Sequence, residues 1–520
     1  MGGTRASFAA ALANLPDYLG QHVLLSLSAL LLGLAISLPL GIIAARSRAL
    51  RGPVLGFASM IQTIPSLALL ALFYPVLLVL SVFAQSTFGA GFRALGFLPA
   101  LLALTLYSML PVLRNTVSAI TGIDPAVIMA ARAVGMTKRQ TLFLVELPLA
   151  APVIMAGIRT AAVWVIGTAT LSTPVGQTSL GNYIFTGLQT ENWIFVLFGC
   201  VAAALLTMVV DRLLALAEQS FSEHSFAKLI ACLVGLALVV GASLAPMLAS
   251  GRADVVVGVK NFSEQYILGS LIERHLSEAG FSTVRRDNLG SAVVFRALTA
   301  NDVNVYIDYS GTIWTNEMKR TGNPGRKVML REIRKWLKDN YGVADLGAVG
   351  FENAYAFAMR RDRAEALGIH TIADLAAHAS QLKLGTDYEF PSRPEWRAVS
   401  KAYHFDFAVK RQYQPNFMYR AVETGDVDVI SAFSSDGRIA QYDLVVLGDP
   451  KGALPPYDAI ILVSPSQAHD EKLLKALEPL VGAIDLETMQ KANLMVDRST
   501  NKRTPRDAAI WLDRQISTGH

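Results

Sequence analysis

Six apolar runs divide the first 250 residues, at about 22–45, 54–84, 96–120, 149–171, 192–217 and 227–248. Each is long enough to cross a bilayer as a helix. The second holds Pro65 and Pro75, which predicts a kink or a short extra helix. After residue 250 the period changes. Val255 to Lys260 reads as a short buried strand running into a turn at Asn261-Phe262-Ser263. Apolar positions at helical spacing from Glu264 to Ala279 predict a helix ended by Gly280. Strand and helix patterns alternate from there to the end. The expected fold is an all-α polytopic membrane domain fused to an α/β domain of two lobes with a cleft between them. Expected boundaries are 1–225 for the membrane domain, 226–250 for a sixth helix, 251–254 for a linker and 254–520 for the outer domain. Within that domain, lobe 1 is expected at 254–357 and 458–520, and lobe 2 at 358–457.

Three polar interruptions stand out between the apolar runs. The first is Ala130 to Pro148, AARAVGMTKRQTLFLVELP, inside an expected loop 124–148. Asp124-Pro125 is a helix start, with Asp as cap and Pro in the first turn. Gly135 can end that helix in a left-handed cap. Thr137 and Gln140 form a capping-box pair for a second helix, closed by Pro148. An ordinary interhelical loop satisfies the same physics. The second is Ile61 to Ser66, where polar residues within a run face a pathway or a helix partner. The third is Ser172 to Trp193, a gate, a docking surface or a plain external loop. Glu191 and Asp211 fall at span ends.

Charge sharpens the division. Residues 1–250 carry 12 Lys and Arg against 7 Asp and Glu, whereas residues 251–520 carry 34 of each. The whole excess of +5 therefore lies in the membrane half, as an orientation signal and not a nucleic-acid footprint. Arg46, Arg48 and Arg51, then Arg114, Arg132, Lys138 and Arg139, then Arg212 and Lys228, mark alternate connections as cytoplasmic. The amino terminus and the second half are then expected outside. Cys200 and Cys232 sit in apolar segments and read as neither metal ligands nor a redox pair. The first residues look like a weakly amphipathic lead-in and not a cleavable signal peptide. The sequence contains no Gly-Lys dipeptide and so no phosphate-binding loop.

The spacing of Ala130-Ala131, Gly135, Val145, Leu147 and Pro148 resembles the "EAA" loop of bacterial ABC importer permeases, with Met129 where that family has Glu. The resemblance implies a coupling helix, with Ala130, Ala131, Gly135, Leu147 and Pro148 docking a separate cytoplasmic ATPase. It also implies a homodimer in the bacterial cell membrane. The stretches GVKNFSEQYILG, LGS at 289–291, YIDYSGT, FSSDGRI and PPY resemble the solute receptors of osmoprotectant and quaternary-amine importers. That resemblance implies a periplasmic-binding-protein domain for glycine betaine, carnitine or choline. Tyr309, Tyr355, Phe433 and Tyr457 are expected to wall an aromatic box for a trimethylammonium group. Lys260, Thr312 and Arg393 are expected at an anionic end. Asn353 and Asp308 are secondary candidates. Phe433 stands where many relatives have Tyr and Asn353 where some have an acid, so ergothioneine is an alternative ligand. Arg393 can instead pair with Glu389 or Glu395. Tyr403, Tyr413 and Tyr419 read as structural. No cofactor or metal is called for. A membrane-tethered solute sensor is the second reading, and an outer enzyme domain the third, for which no nucleophile–base pair or metal cluster stands out.

Overall fold

The computed structural model describes residues 2–88, 92, 94–223, 225–249, 254–320, 322–498 and 500–518. The linker expected at 251–254 lies almost wholly outside them. Contacts divide the described residues into two compact units. One comprises 11–185 and 195–249; the other comprises 254–518 with 2–10 and 186–194.

The first unit is helical. The helices that make it up, wholly or in the greater part, are α1 (Gly2–Arg46), α2 (Arg48–Thr63), α3 (Ser66–Phe88), α4 (Phe97–Thr121), α5 (Pro125–Ala133), α6 (Lys138–Thr141), α7 (Leu147–Ala169), α8 (Gly181–Gln189), α9 (Trp193–Glu223) and α10 (Phe226–Ala249). Six helical segments among the described residues are long and apolar enough to cross a membrane. Helix α1 starts well before the apolar run at 22–45. Pro16 and Pro39 lie inside it without ending it.

Small residues let the helices approach closely, since a bilayer offers apolar side chains little reason to leave lipid. A Cβ on Gly33 would overlap Ser108 of α4, and one on Gly157 would meet the backbone oxygen of Pro111 at 2.9 Å. The break between α2 and α3 falls at Ile64-Pro65, the second helix that the prolines predict. Its polar groups serve a helix partner: Gln62 Nε2 donates to Tyr107 O at 3.3 Å, and the Tyr107 hydroxyl to Ile64 O. Asp211 lies within α9, where Arg159 of α7 donates to it at 2.5 and 2.9 Å and to Glu218 at 3.3 Å. Pairing makes an acid on a membrane helix tolerable.

The second unit holds two five-stranded sheets. The strands are β1 (Val255–Lys260), β2 (Thr283–Leu289), β3 (Val305–Tyr309), β4 (Ala344–Glu352), β5 (Tyr355–Arg360), β6 (Lys383–Asp387), β7 (Val409–Tyr413), β8 (Val429–Phe433), β9 (Leu444–Val446) and β10 (Asp458–Val463). Their orders are β2-β1-β3-β10-β4 and β7-β6-β8-β5-β9. Strands β1 and β10 are buried along their whole length, which explains their unbroken apolar runs. Helix α11 (Ser263–Glu278) packs on the first sheet. The chain crosses between sheets at Asn353-Ala354, earlier than the expected boundary at 357. Tyr355 already pairs with Phe433 and belongs to the second sheet.

Candidate functional site

Strand ends build the site. Lys260 ends β1, Tyr309 ends β3, Asp387 ends β6, Phe433 ends β8 and Tyr355 opens β5. Side chains from both sheets converge there, as expected at the carboxyl ends of α/β strands. Lys260, Tyr309, Thr312, Tyr355, Arg393, Phe433 and Tyr457 all line one cavity of about 280 Å³.

Tyr355 pairs with two of the other three expected box aromatics. The Tyr355 ring lies 5.0 Å from Phe433 and 6.1 Å from Tyr457, the latter edge-on. Tyr309 faces Phe262 at 6.1 Å. Tyr457 is held by the turn after β3: Ser310 Oγ donates to Pro456 O at 3.1 Å and accepts from Asp458 N at 2.9 Å. Gly311 makes that packing possible, because a Cβ there would meet the Tyr457 ring at 2.5 Å. Gly311→Ala is therefore expected to displace the ring and weaken ligand binding at least tenfold, read by titration calorimetry. Unchanged affinity would detach Tyr457 from the site.

The cations are less free than their positions in the sequence imply. The Lys260 ammonium forms a buried ion pair with Asp308, lying 5.2 Å above the Tyr309 ring. Asp308 also accepts from the Tyr306 hydroxyl at 2.5 Å and from Tyr309 N at 2.7 Å. Arg393 donates to Glu395 at 3.1 Å and 3.3 Å and pairs with Glu389 at 3.4 Å, the alternative its neighbours allowed. Its guanidinium stacks 5.1 Å from the Tyr355 centroid and reaches the Tyr457 hydroxyl at 3.3 Å. The Tyr457 hydroxyl also donates to Glu395. Both cations therefore brace the aromatic wall. Burial, Glu395 and the neighbouring tyrosines act on Arg393 together, and the result holds it charged. Tyr419 is structural, as read from the sequence: its hydroxyl accepts from Phe433 N at 2.9 Å.

Sequence reasoning missed the acids of the cavity. Glu264, in the first turn of α11, is buried. Its Oε1 accepts from the Tyr309 hydroxyl at 2.5 Å and from Asn353 Nδ2 at 3.1 Å; its Oε2 accepts from Asn493 Nδ2 at 2.9 Å. Burial pushes its carboxyl pKa up against those hydrogen bonds. Asp497 accepts from Ser263 Oγ at 2.5 Å and is pushed up to about 6 by burial. Asp436 pairs with Arg438 at 2.6 Å. FSEQY and FSSDGRI contain Glu264, Asp436 and Arg438, so the motifs carried the signal.

The interruption at 124–148 lies in the helical unit. Asp124 Oδ1 accepts from Ala126 N at 2.8 Å and starts α5. Gly135 has φ +83 and ends it, with Gly135 N donating to Arg132 O at 3.0 Å and Met136 N to Ala131 O at 3.1 Å. Thr137 and Gln140 close the capping box at the start of α6. Pro148 does not close that helix. A π-helical turn, Leu142–Glu146, carries the chain straight into α7. Pro148 sits in the first turn of α7, where a missing N–H costs little. Ala131 is buried; Ala130, Gly135 and Pro148 are exposed and Leu147 is half-buried. Met129 is 63% exposed and Val134 74% exposed. Glu146 is buried and pairs with Arg46 at the end of α1 at 2.7 Å, which ties the end of the loop to α1.

A two-sheet unit with an aromatic cleft, on one chain with a polytopic helical unit, defines a fused receptor and permease. Residues 253–514 match the family described as the substrate binding domain of ABC-type glycine betaine transport systems. Residues 37–223 match the binding-protein-dependent transport system inner membrane component. The chain belongs to this importer family, with permease and substrate-binding domain in one polypeptide. It is 31% identical over 482 residues to the ergothioneine transport permease/ergothioneine binding protein EgtU of Helicobacter pylori, covering 89% of this chain and 83% of that protein. It is 39% identical over 209 residues to the choline transport system permease protein OpuBB of Bacillus subtilis, covering 40% of this chain and 89% of that protein. A crystal structure of a glycine betaine/carnitine/choline ABC transporter aligns at 29% identity with a TM-score of 0.45. It covers 50% of this chain and 98% of that one.

Proposed function

We propose that this chain imports a quaternary-ammonium solute of the betaine type, acting as both receptor and membrane pathway. The carrying observation is the cavity itself. The Phe433 and Tyr457 rings lie 5.0 and 6.1 Å from that of Tyr355, and the buried carboxylate of Glu264 lies on the same lining. A trimethylammonium group has no proton to donate, so aromatic faces and a nearby negative charge are the groups that recognise it. Each ring contributes about 0.5–2 kcal/mol. Tyr309 completes the box by holding Glu264 in place. Thr312 serves the other end of the solute, with Lys260 and Arg393 fixing the wall. The proposed receptor spans 254–518, one lobe on each sheet.

ATP is bound and hydrolysed by a separate cytoplasmic ATPase subunit. The loop of α5 and α6, with Ala130, Ala131, Gly135, Leu147 and Pro148, is its dock. The exposed apolar Met129 and Val134 support this reading, and the distribution of Arg and Lys places the loop in the cytoplasm and the receptor outside. Two copies in the bilayer complete the pore. A betaine such as ergothioneine, named for the Helicobacter relative, fits the same box. Calorimetric titration of the full-length protein in nanodiscs with glycine betaine, carnitine, choline and ergothioneine tests the reading. Saturable binding to at least one is expected, and binding to none would overturn it.

A further inference from the structure

Among the fully buried side-chain atoms of the cavity's lining residues, the hydrogen-bonding capacity left over is one-sided. Three buried side-chain atoms of its lining residues have no hydrogen-bond partner: Asn353 Oδ1, Asp387 Oδ2 and Asn493 Oδ1. These residues are 8%, 5% and 3% exposed. All three atoms are acceptors.

The proton inventory fixes their directions. Gln265 Nε2 donates to the Tyr309 hydroxyl at 2.9 Å, so that hydroxyl gives its own proton to Glu264. The Glu264 oxygens are then acceptors, and Asn353 and Asn493 turn their N–H groups toward them. Their carbonyl oxygens must face away from Glu264. Asp387 spends Oδ1 on the backbone amides of Glu389 at 2.7 Å and Phe390 at 2.9 Å, which leaves Oδ2 unused. A buried acceptor without a donor is costly, and three of them on residues lining one cavity point to a ligand that supplies donors.

We propose that the solute carries N–H or O–H donors besides its permanent cation, and that Asp387, Asn353 and Asn493 form the subsite that takes them. This rests on the betaine reading above and narrows it. A fully methylated betaine offers this subsite no donor; an imidazole-bearing betaine offers ring N–H groups, and a hydroxylated one an O–H. Asp387 stands on the second sheet, whereas the helix of Asn493 (Leu486–Asp497) packs against β4 of the first. A ligand donating to both sides would tie the lobes together and favour closure.

The full-length protein in nanodiscs is titrated with glycine betaine, carnitine and ergothioneine. Ergothioneine, with two ring N–H groups, is expected to bind at least 30-fold more tightly than glycine betaine, with carnitine between them. Asp387→Asn keeps the Oδ1 cap but turns the free acceptor into a donor. It should lower the ratio of ergothioneine to glycine betaine affinity at least tenfold, and Asn353→Ala should lower the same ratio if Asp387→Asn fails to fold. Glycine betaine binding as tightly as ergothioneine would overturn the donor subsite and leave the aromatic box standing. An unchanged ratio in a folded variant would overturn the assignment of that residue. Binding of none of the three would overturn both readings.

Discussion

Glu264→Gln is expected to weaken binding of a quaternary-ammonium solute at least 30-fold while the protein stays folded. Three of the other acids near the wall are matched with cations: Asp308 with Lys260, Glu395 with Arg393 and Asp436 with Arg438; Asp387 caps the Glu389 and Phe390 amides, and Asp497 accepts from Ser263. The donors on Glu264, from Tyr309, Asn353 and Asn493, are all neutral. Its charge is therefore available to a ligand cation. Losing one partner of a desolvated charge pair costs about 2–5 kcal/mol, which is about 30-fold at the lower bound. Because burial pushes the Glu264 carboxyl pKa up, acid reproduces the substitution. Affinity should fall as pH drops through that raised value, and the Gln variant should lack this dependence. Calorimetry at several pH values, with circular dichroism as the folding control, checks both. Wild-type affinity in Glu264→Gln would move the cation elsewhere.

Gly135→Val is expected to reduce ATP-driven uptake more than tenfold and to leave solute affinity unchanged. At φ +83 the backbone is left-handed, which costs an L-residue about 1–2 kcal/mol and a β-branched one more. No atom lies within 4 Å of a Cβ built there, so the failure comes from the backbone and not from a clash. The bonds at stake are Gly135 N to Arg132 O and Met136 N to Ala131 O, which set the angle between α5 and α6. Gly135→Asn, which tolerates this conformation, should restore most of the uptake. Equal uptake by the Val variant would remove the loop from coupling.

The helical unit was largely legible because its signals are local. Pro65 follows the polar Gln62-Thr63 pair and marks the break between α2 and α3, and the box of Thr137 and Gln140 needs no distant partner. Pro148 misled because a π-helical turn before it removes the demand for its N–H. The pairing of Asp211 was not legible because its partner, Arg159, lies 52 residues away on another helix. At the candidate site the aromatics could be found by motif, and the structure brings them to one cavity. The states of the charges could not. Lys260 and Arg393 looked like anion holders until the fold placed Asp308 and Glu395 against them. Glu264 read as an ordinary acid in a first helical turn, where the helix dipole favours one at the surface. Burial by residues from β3, the β4–β5 crossing and the helix Leu486–Asp497 is a tertiary fact with no local signature.

The central claim is that one chain captures a betaine and passes it inward at the expense of a partner's ATP. Its most direct test is uptake of labelled ergothioneine and glycine betaine by proteoliposomes holding this chain and its ATPase subunit. The account predicts saturable uptake that requires ATP and the ATPase, and that is lost in both Tyr355→Ala and Gly135→Val. Tight binding of either solute without ATP-dependent uptake would contradict it and point to a membrane-tethered sensor.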